Sequence, residues 1–321
     1  MPKKILILTT GGTVAGLKTA SINSRYESAK LSFDEIFSSA LQNMACKNLD
    51  IEISVQNVFN IGSQDMDNSH LLRLGMAAQL ASDENYGIVV LHGTDSIEES
   101  AYFLNLVLKT SANIILTGSM NTSDSLMFDG VANIYGALIA ASSKNAKNMG
   151  VLAVFDGKIY SARQLYKTHS RSIGAFSGEI GTIIDEKAIF YFKSAKEHTL
   201  NTPFDIRKMK SLARVDVVYI CADFNAKLYD FSKSDALIIC AMGNANLPQN
   251  ALKTLSKIKI PKVRTSRTNI VDISKDGEID DEMFGFIRAN DLGASKARIL
   301  LICALSVTNK IDIIQGFFDR F

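Results

Sequence analysis

Residues 87–108 read Gly87-Ile-Val-Val-Leu-His-Gly-Thr-Asp-Ser-Ile-Glu-Glu-Ser-Ala-Tyr-Phe-Leu-Asn-Leu-Val-Leu108. Gly87–Leu91 is a short, continuously apolar run rich in β-branched residues, the pattern of a strand covered on both faces. Ser96-Ile-Glu-Glu99 has the spacing of a capping box, and Ala101, Leu104 and Leu108 then share one helical face. Strand, tight polar loop and helix follow one another without spare residues, which is half of a βαβ unit.

The same alternation extends outward in both directions. Further strands are expected at Lys4–Thr9, Ile51–Phe59, Asn113–Thr117 and Val151–Phe155. A second capping box, Ser32-Phe-Asp-Glu35, precedes Ile36, Phe37, Ala40, Leu41 and Met44, so one helix is expected there. Asn68 to Leu80 reads as another helix. Asp129 is expected to cap a helix through Ala132, Tyr135, Leu138 and Ile139. Such alternation predicts an α/β fold with a larger N-terminal, mostly parallel, doubly wound sheet domain. After Phe192 the pattern changes. Residues 193–214 are polar, contain Pro203 and show little periodicity, so a linker is expected. Alternation resumes with Val215–Ala222, Ala236–Ala241, a helix from Pro248, Lys262–Arg264 and a last helix from Ser295. The expected domains are 1–192 and a smaller C-terminal α/β domain at 215–321. A length of 321 residues fits two domains at roughly 150 residues each.

Composition narrows the function classes. An apolar share of 47% with a net charge of only +2 excludes disorder over most of the chain and offers no general basic footprint for nucleic acid. The longest apolar stretch, Ile299–Leu305 extended to Val307, is far short of the ~18 residues that span a bilayer. The basic start, Met-Pro-Lys-Lys, resembles a signal peptide only superficially. Its apolar run is short, Gly11-Gly12 carries no cleavage pattern, and it is read as a first strand. A soluble, cytoplasmic protein is the expectation, periplasmic if a leader has been removed. Cys46, Cys221, Cys240 and Cys303 form no CxxC pair, so no zinc site is expected.

In open α/β sheets ligands bind beyond the carboxyl ends of the strands. Those ends read Thr9-Thr-Gly-Gly-Thr13, Asn60-Ile-Gly-Ser-Gln-Asp65, His92-Gly-Thr-Asp95 and Thr117-Gly-Ser119. Each combines glycine with hydroxyl, amide or carboxylate. Taken alone, Gly11-Gly12-Thr13 is a tight turn or a loop whose amides face a ligand. No GxGxxG or GxxxxGK[ST] supports a nucleotide reading. Thr94-Asp95 stands at a helix start, which suits a carboxylate or a developing oxyanion. Asp95 is equally an ordinary first-turn acid, and His92 is read as a packed, hydrogen-bonded residue ahead of a catalytic one. No nucleophile elbow supports a Ser-His-Asp scheme. Lys167, in Arg163-Gln-Leu-Tyr-Lys-Thr-His169, is either a solvated surface lysine or a buried base beside a hydroxyl.

Several motifs in register resemble the bacterial L-asparaginase family. They are Thr9-Thr-Gly-Gly-Thr-Val-Ala-Gly16, Asn60-Ile-Gly-Ser-Gln-Asp-Met66 and the stretch from His92 to Leu104. The likeness continues through Asp129-Gly130, Lys167-Thr168, Thr202-Pro-Phe-Asp205, Met242-Gly-Asn-Ala-Asn246, Arg264-Thr-Ser-Arg267 and Gly277-Glu-Ile-Asp-Asp281. Arg25-Tyr26 with Lys30-Leu31 resembles the secreted, type II branch. The resemblance implies hydrolysis of L-asparagine to L-aspartate and ammonia, with minor glutaminase activity and no cofactor. It implies Thr13 as the nucleophile that forms a β-aspartyl enzyme, and Tyr26 on a mobile lid. Thr94, Lys167 and Asp95 would form a second hydroxyl–amine–carboxylate group. Gly62, Ser63 and Gln64 would bind the substrate, Ser63 and Gln64 at its α-carboxylate. Asp95, Asn246 and Glu278 would engage the α-ammonium, the last two from a neighbouring subunit of a homotetramer built from intimate dimers. Three places depart from the family pattern: Ser119-Met-Asn-Thr-Ser123 replaces an Arg-Pro pair, 225–233 is shortened, and His169 replaces an asparagine.

Overall fold

β5 (Gly87–Leu91) is buried along its whole length. It lies between β1 (Lys3–Gly11) and β6 (Asn113–Thr117), parallel to both. The structure, a computed structural model, describes residues 1–12, 16–18, 26–27, 31–275 and 277–321, with the backbone alone at 17, 18, 26 and 27. In chain order the remaining elements of the first part are β2 (Leu17–Lys18), β3 (Tyr26–Glu27), α1 (Phe33–Ile36), α2 (Ser39–Leu49), β4 (Ile51–Ile61), α3 (Asn68–Glu84), α4 (Ile97–Val107), α5 (Gly130–Ser142) and β7 (Val151–Phe155). They are followed by β8 (Lys158–Ser161), β9 (Tyr166–Lys167), β10 (Phe176–Ser177), β11 (Glu179–Ile184) and β12 (Lys187–Phe190).

Eight strands form the main sheet in the order β12-β11-β8-β7-β6-β5-β1-β4. The five from β4 to β7 run parallel, and β8, β11 and β12 are added antiparallel. Val89 and Leu91 of β5 pack in one cluster with Ile134, Ala137 and Leu138 of α5. Strand alternation turns Ile88 and Val90 to the other face, so the sheet is wound on both sides. Each such buried aliphatic side chain contributes ~1.5–3 kcal/mol relative to exposure.

The chain divides into two compact units, Met1–Lys208 and Met209–Phe321. In the stretch expected to be a linker, Thr202, Phe204 and Ile206 are buried. The Lys109 ammonium donates there to the Thr199 carbonyl at 2.7 Å and the Thr202 carbonyl at 2.6 Å. The second unit holds a four-stranded parallel sheet of β13 (Val215–Tyr219), β14 (Ala236–Ala241), β15 (Lys262–Ser266) and β16 (Ile287–Arg288). Its helices are α6 (Gln249–Leu255), α7 (Asp281–Phe284), α8 (Ala294–Leu305) and α9 (Ile311–Arg320). Among the described residues, no helix is long and apolar enough to cross a membrane.

Three local expectations need correction. The helix expected from Ser32 is two helices. Ser32 and Glu35 do form their reciprocal capping box, but the chain turns at Phe37, with φ −123° and ψ 84°. That turn buries both Ile36 and Phe37, and the Gln42 amide takes up the Phe37 carbonyl at 2.9 Å. Ser96 occupies the cap position of α4 without a capping bond. Its hydroxyl donates instead to the Ser63 carbonyl at 2.6 Å. Asp129 likewise precedes α5 without capping it. Its carboxylate accepts from the backbone N–H groups of Met120 and Asn121 at 3.0 Å.

Candidate active site

The strand ends meet through their backbones before any side chain is considered. β1 closes on Gly11 and Gly12, with φ of 97° and 84°, a left-handed conformation that glycine adopts without strain. The Gly12 N–H donates to the Ile61 carbonyl at the end of β4, 3.0 Å away. A Cβ on Gly12 would lie 2.5 Å from the Gly93 Cα, and one on Gly93 would lie 2.5 Å from Ser63 Oγ. A Cβ on Gly118 would meet the His92 carbonyl at 2.2 Å. The loops after β1, β5 and β6 are therefore packed backbone to backbone through Gly12, Gly93 and Gly118, and Gly93 also makes room for the Ser63 side chain of the loop after β4.

Ser63 locks two of these loops together. It is buried, and its hydroxyl accepts from the Asp95 N–H at 3.1 Å while its carbonyl accepts from Ser96. Thr94 is thereby set just ahead of α4, whose first N–H groups have no partner within the helix. From the far side comes β9, paired antiparallel with β10. The Lys167 ammonium donates to Thr94 Oγ1 at 3.0 Å and to Asp95 Oδ1 at 2.8 Å. The lysine side chain is 16% exposed and the aspartate 56%. Lys167 is thus the largely buried, hydroxyl-contacting alternative of the two open for it, and it is charge-paired. The Glu98 carboxylate accepts from the Lys167 backbone N–H at 3.1 Å, which fixes where that side chain starts.

His92 is a packed core residue. Its Nδ1 contacts the Gly93 carbonyl at 2.7 Å, and its Nε2 contacts Ser100 Oγ at 3.0 Å. A carbonyl only accepts, so Nδ1 carries the proton and Nε2 accepts from the serine. Burial pushes the imidazole pKa down to about 4, partly opposed by the Gly93 carbonyl. The ring is neutral and acts as a strut for Gly93.

The other expected positions fall into three groups. Gly62 is buried against the exposed Gln64, whose amide would lie 2.4 Å from a Cβ on the glycine. Asn246 and Glu278 meet in the second unit. The Glu278 carboxyl is held below its usual range first by its own backbone N–H and then by the Asn246 side chain. Asn246 Oδ1 is buried and accepts no hydrogen bond from any described residue. Thr13 and the side chain of Tyr26 lie outside the described residues. The backbone of Tyr26 pairs with Lys18 in the β2–β3 ribbon. In the departing loop 119–123, Ser123 Oγ donates to the Gly16 carbonyl at 3.0 Å, tying that loop to the chain beyond the first glycine pair.

Sequence reasoning missed Glu98, Ser96 and the Asp129 anchor. Glu98 left one signal, a second acid three residues after Asp95 and therefore on the same face of the helix start. Among the described residues, no group of three or more His, Cys, Asp or Glu side chains is placed to hold a metal ion.

Comparison with known proteins follows the same two parts. The family profile for Asparaginase, N-terminal, matches residues 4–196, and that for the Glutaminase/Asparaginase C-terminal domain matches 214–318. L-asparaginase 2 of Escherichia coli K12 is 33% identical over 327 residues, covering 99% of this chain and 93% of that protein. A glutaminase-asparaginase of Pseudomonas fluorescens is 32% identical, covering 99% and 90%. A crystal structure described as a probable cytoplasmic L-asparaginase from Campylobacter jejuni superposes with a TM-score of 0.91 at 35% identity, covering 99% of this chain and all of that one.

Proposed function

This chain belongs to the asparaginase family of amidohydrolases, and from that membership we propose that it hydrolyses L-asparagine to L-aspartate and ammonia at the loop cluster around Thr94. The observation that carries the reading is Lys167 Nζ bridging Thr94 Oγ1 and Asp95 Oδ1 at the carboxyl end of β5. An ammonium that donates into the Thr94 oxygen leaves the hydroxyl proton free to point at a ligand. It also polarises that O–H, the arrangement that stabilises charge developing on a substrate atom.

In the proposed scheme the Thr13 oxygen attacks the side-chain carbonyl carbon. The hydroxyl proton passes to the amide nitrogen, the C–N bond breaks and ammonia leaves. A β-aspartyl ester remains, and water, delivering its proton back to the threonine oxygen, releases aspartate. Tyr26 closes over the site and orients the nucleophile. Hydroxyl, amine and carboxylate supply both nucleophile and proton transfer, so the scheme calls for no metal or organic cofactor.

A free amino acid is a zwitterion and needs acceptors at one end and donors at the other. Gly62, Ser63 and Gln64 serve the carboxylate. Asp95, Glu278 and the unsatisfied Asn246 oxygen serve the ammonium. The proposed assembly is a homotetramer of intimate dimers in which Asn246 and Glu278 come from a neighbouring copy, and the proposed compartment is the cytoplasm. L-glutamine is a minor substrate, since one methylene changes selectivity by only ~1–3 kcal/mol. Steady-state ammonia release tests the core of this. Thr13→Ala and Thr94→Val should each abolish turnover of L-asparagine in a folded protein, and full turnover in both would reject the assignment.

A further inference from the structure

We infer that Arg264 is a positioning residue for recognition of the substrate's α-ammonium: its buried guanidinium sets the spacing of the two chain segments that carry Asn246 and Glu278. This rests on the function proposed above.

Arg264 lies on β15 and is 1% exposed, the largest fully buried side chain among the described residues. Its Nε and Nη2 donate to both oxygens of Asp281 at 2.6 and 2.9 Å, a fork-to-fork ion pair. Its Nη1 donates to the Ala245 carbonyl at 2.8 Å and the Asn244 carbonyl at 3.3 Å. One planar group therefore holds the 242–246 loop on one edge and the start of α7 on the other. The 242–246 loop closes on two backbone bonds between Met242 and Asn246, with Ala245 at a strained φ of 56°. Asn244 reaches across to Ser274 and, at 3.5 Å, to Glu278. Asn246 and Glu278 supply an unsatisfied amide oxygen and a carboxylate, an acceptor pair that fits an ammonium and offers no partner to a carboxylate. Arg264 touches neither acceptor directly, so its effect falls on their separation. Lysine keeps the charge but cannot make the bidentate fork while also holding two carbonyls.

The test compares L-asparagine with succinamic acid, which has the same amide and carboxylate but no α-amine, using full-length wild type, Arg264→Lys and Arg288→Gln. Arg288 Nε stands 3.6 Å from Asp281 at the rim of the same pair and gives a milder variant. Arg264→Lys should raise KM for L-asparagine about tenfold with kcat within about threefold, and leave KM for succinamic acid nearly unchanged. The preference for L-asparagine then collapses by about the same factor, and Arg288→Gln moves it in the same direction by less. Should Arg264→Lys not fold, Arg288→Gln alone decides. An unchanged preference in the folded variants, or a fall in kcat with the preference intact, overturns the inference. A wild type that releases no ammonia from L-asparagine overturns the proposed function instead, so the two failures are distinguishable.

Discussion

The two halves of the proposed substrate site are built on opposite plans. Around Thr94 the charges stand at the front. Lys167 and Asp95 pair where the proposed ligand would lie, and the support behind them is mostly neutral: glycine backbone in contact, Ser63 and an uncharged His92, with the Glu98 carboxylate on the Lys167 backbone as the exception. Around Asn246 the strong charge pair stands behind. Arg264 is buried and Asp281 half-buried, and beside them stand a buried, unsatisfied amide oxygen and one carboxylate. The contrast separates two jobs. A site that must stabilise a developing charge needs its charges in reach of the reacting atoms, while a site that measures an ammonium needs two acceptors at a fixed distance. Substitutions in the first half should therefore act on kcat and those in the second on KM.

The largest expected effect is in the first half. Asp95→Asn leaves the Lys167 ammonium without its carboxylate and removes a negative charge from the acceptors proposed for the substrate's ammonium. Its kcat/KM for L-asparagine should fall about a thousandfold, ~4 kcal/mol of transition-state stabilisation. A loss no greater than that of Arg264→Lys would erase the distinction between the halves.

The neutral support makes its own prediction. Burial holds His92 at about 4 in the fold, below the ordinary 6.5, so as pH falls the unfolded chain takes up its proton first. The stabilisation is fully present above 6.5 and is lost between 6.5 and 4, by about 3 kcal/mol over that window. Urea melts at pH 7 and pH 4.5 check it, and His92→Gln should flatten this part of the slope.

A smaller effect belongs to the link between loops. Ser63→Ala removes the acceptor for the Asp95 N–H and should cost about 1 kcal/mol of stability, read as a shift in the urea midpoint. Activity should fall more than stability, because Thr94 and Asp95 share that loop.

What the sequence revealed follows the reach of each interaction. Gly87–Leu91, Asn113–Thr117, Val151–Phe155 and Ala236–Ala241 match their strands to the residue, because a continuous apolar run between polar turns is a local signal. The packed His92 was also legible. Ser96 and Asp129 misled for the opposite reason. Each sits where a cap belongs, yet each side chain is taken by a loop far along the chain or across a turn, at Ser63 and at Met120. The Lys167 contact spans 73 residues and has no periodic trace, so residue pattern alone left two readings of that lysine open. Arg264 was visible only as part of a motif, because its role depends on two carbonyls and a carboxylate brought together by the second sheet.

The most direct test of the central claim is the rate of ammonia release from saturating L-asparagine by the wild type and by Lys167→Met, with equal urea midpoints as the control for folding. If the lysine polarises Thr94, the wild type turns over and the variant loses about a thousandfold in kcat with KM little changed. A folded Lys167→Met with wild-type kcat would contradict the account.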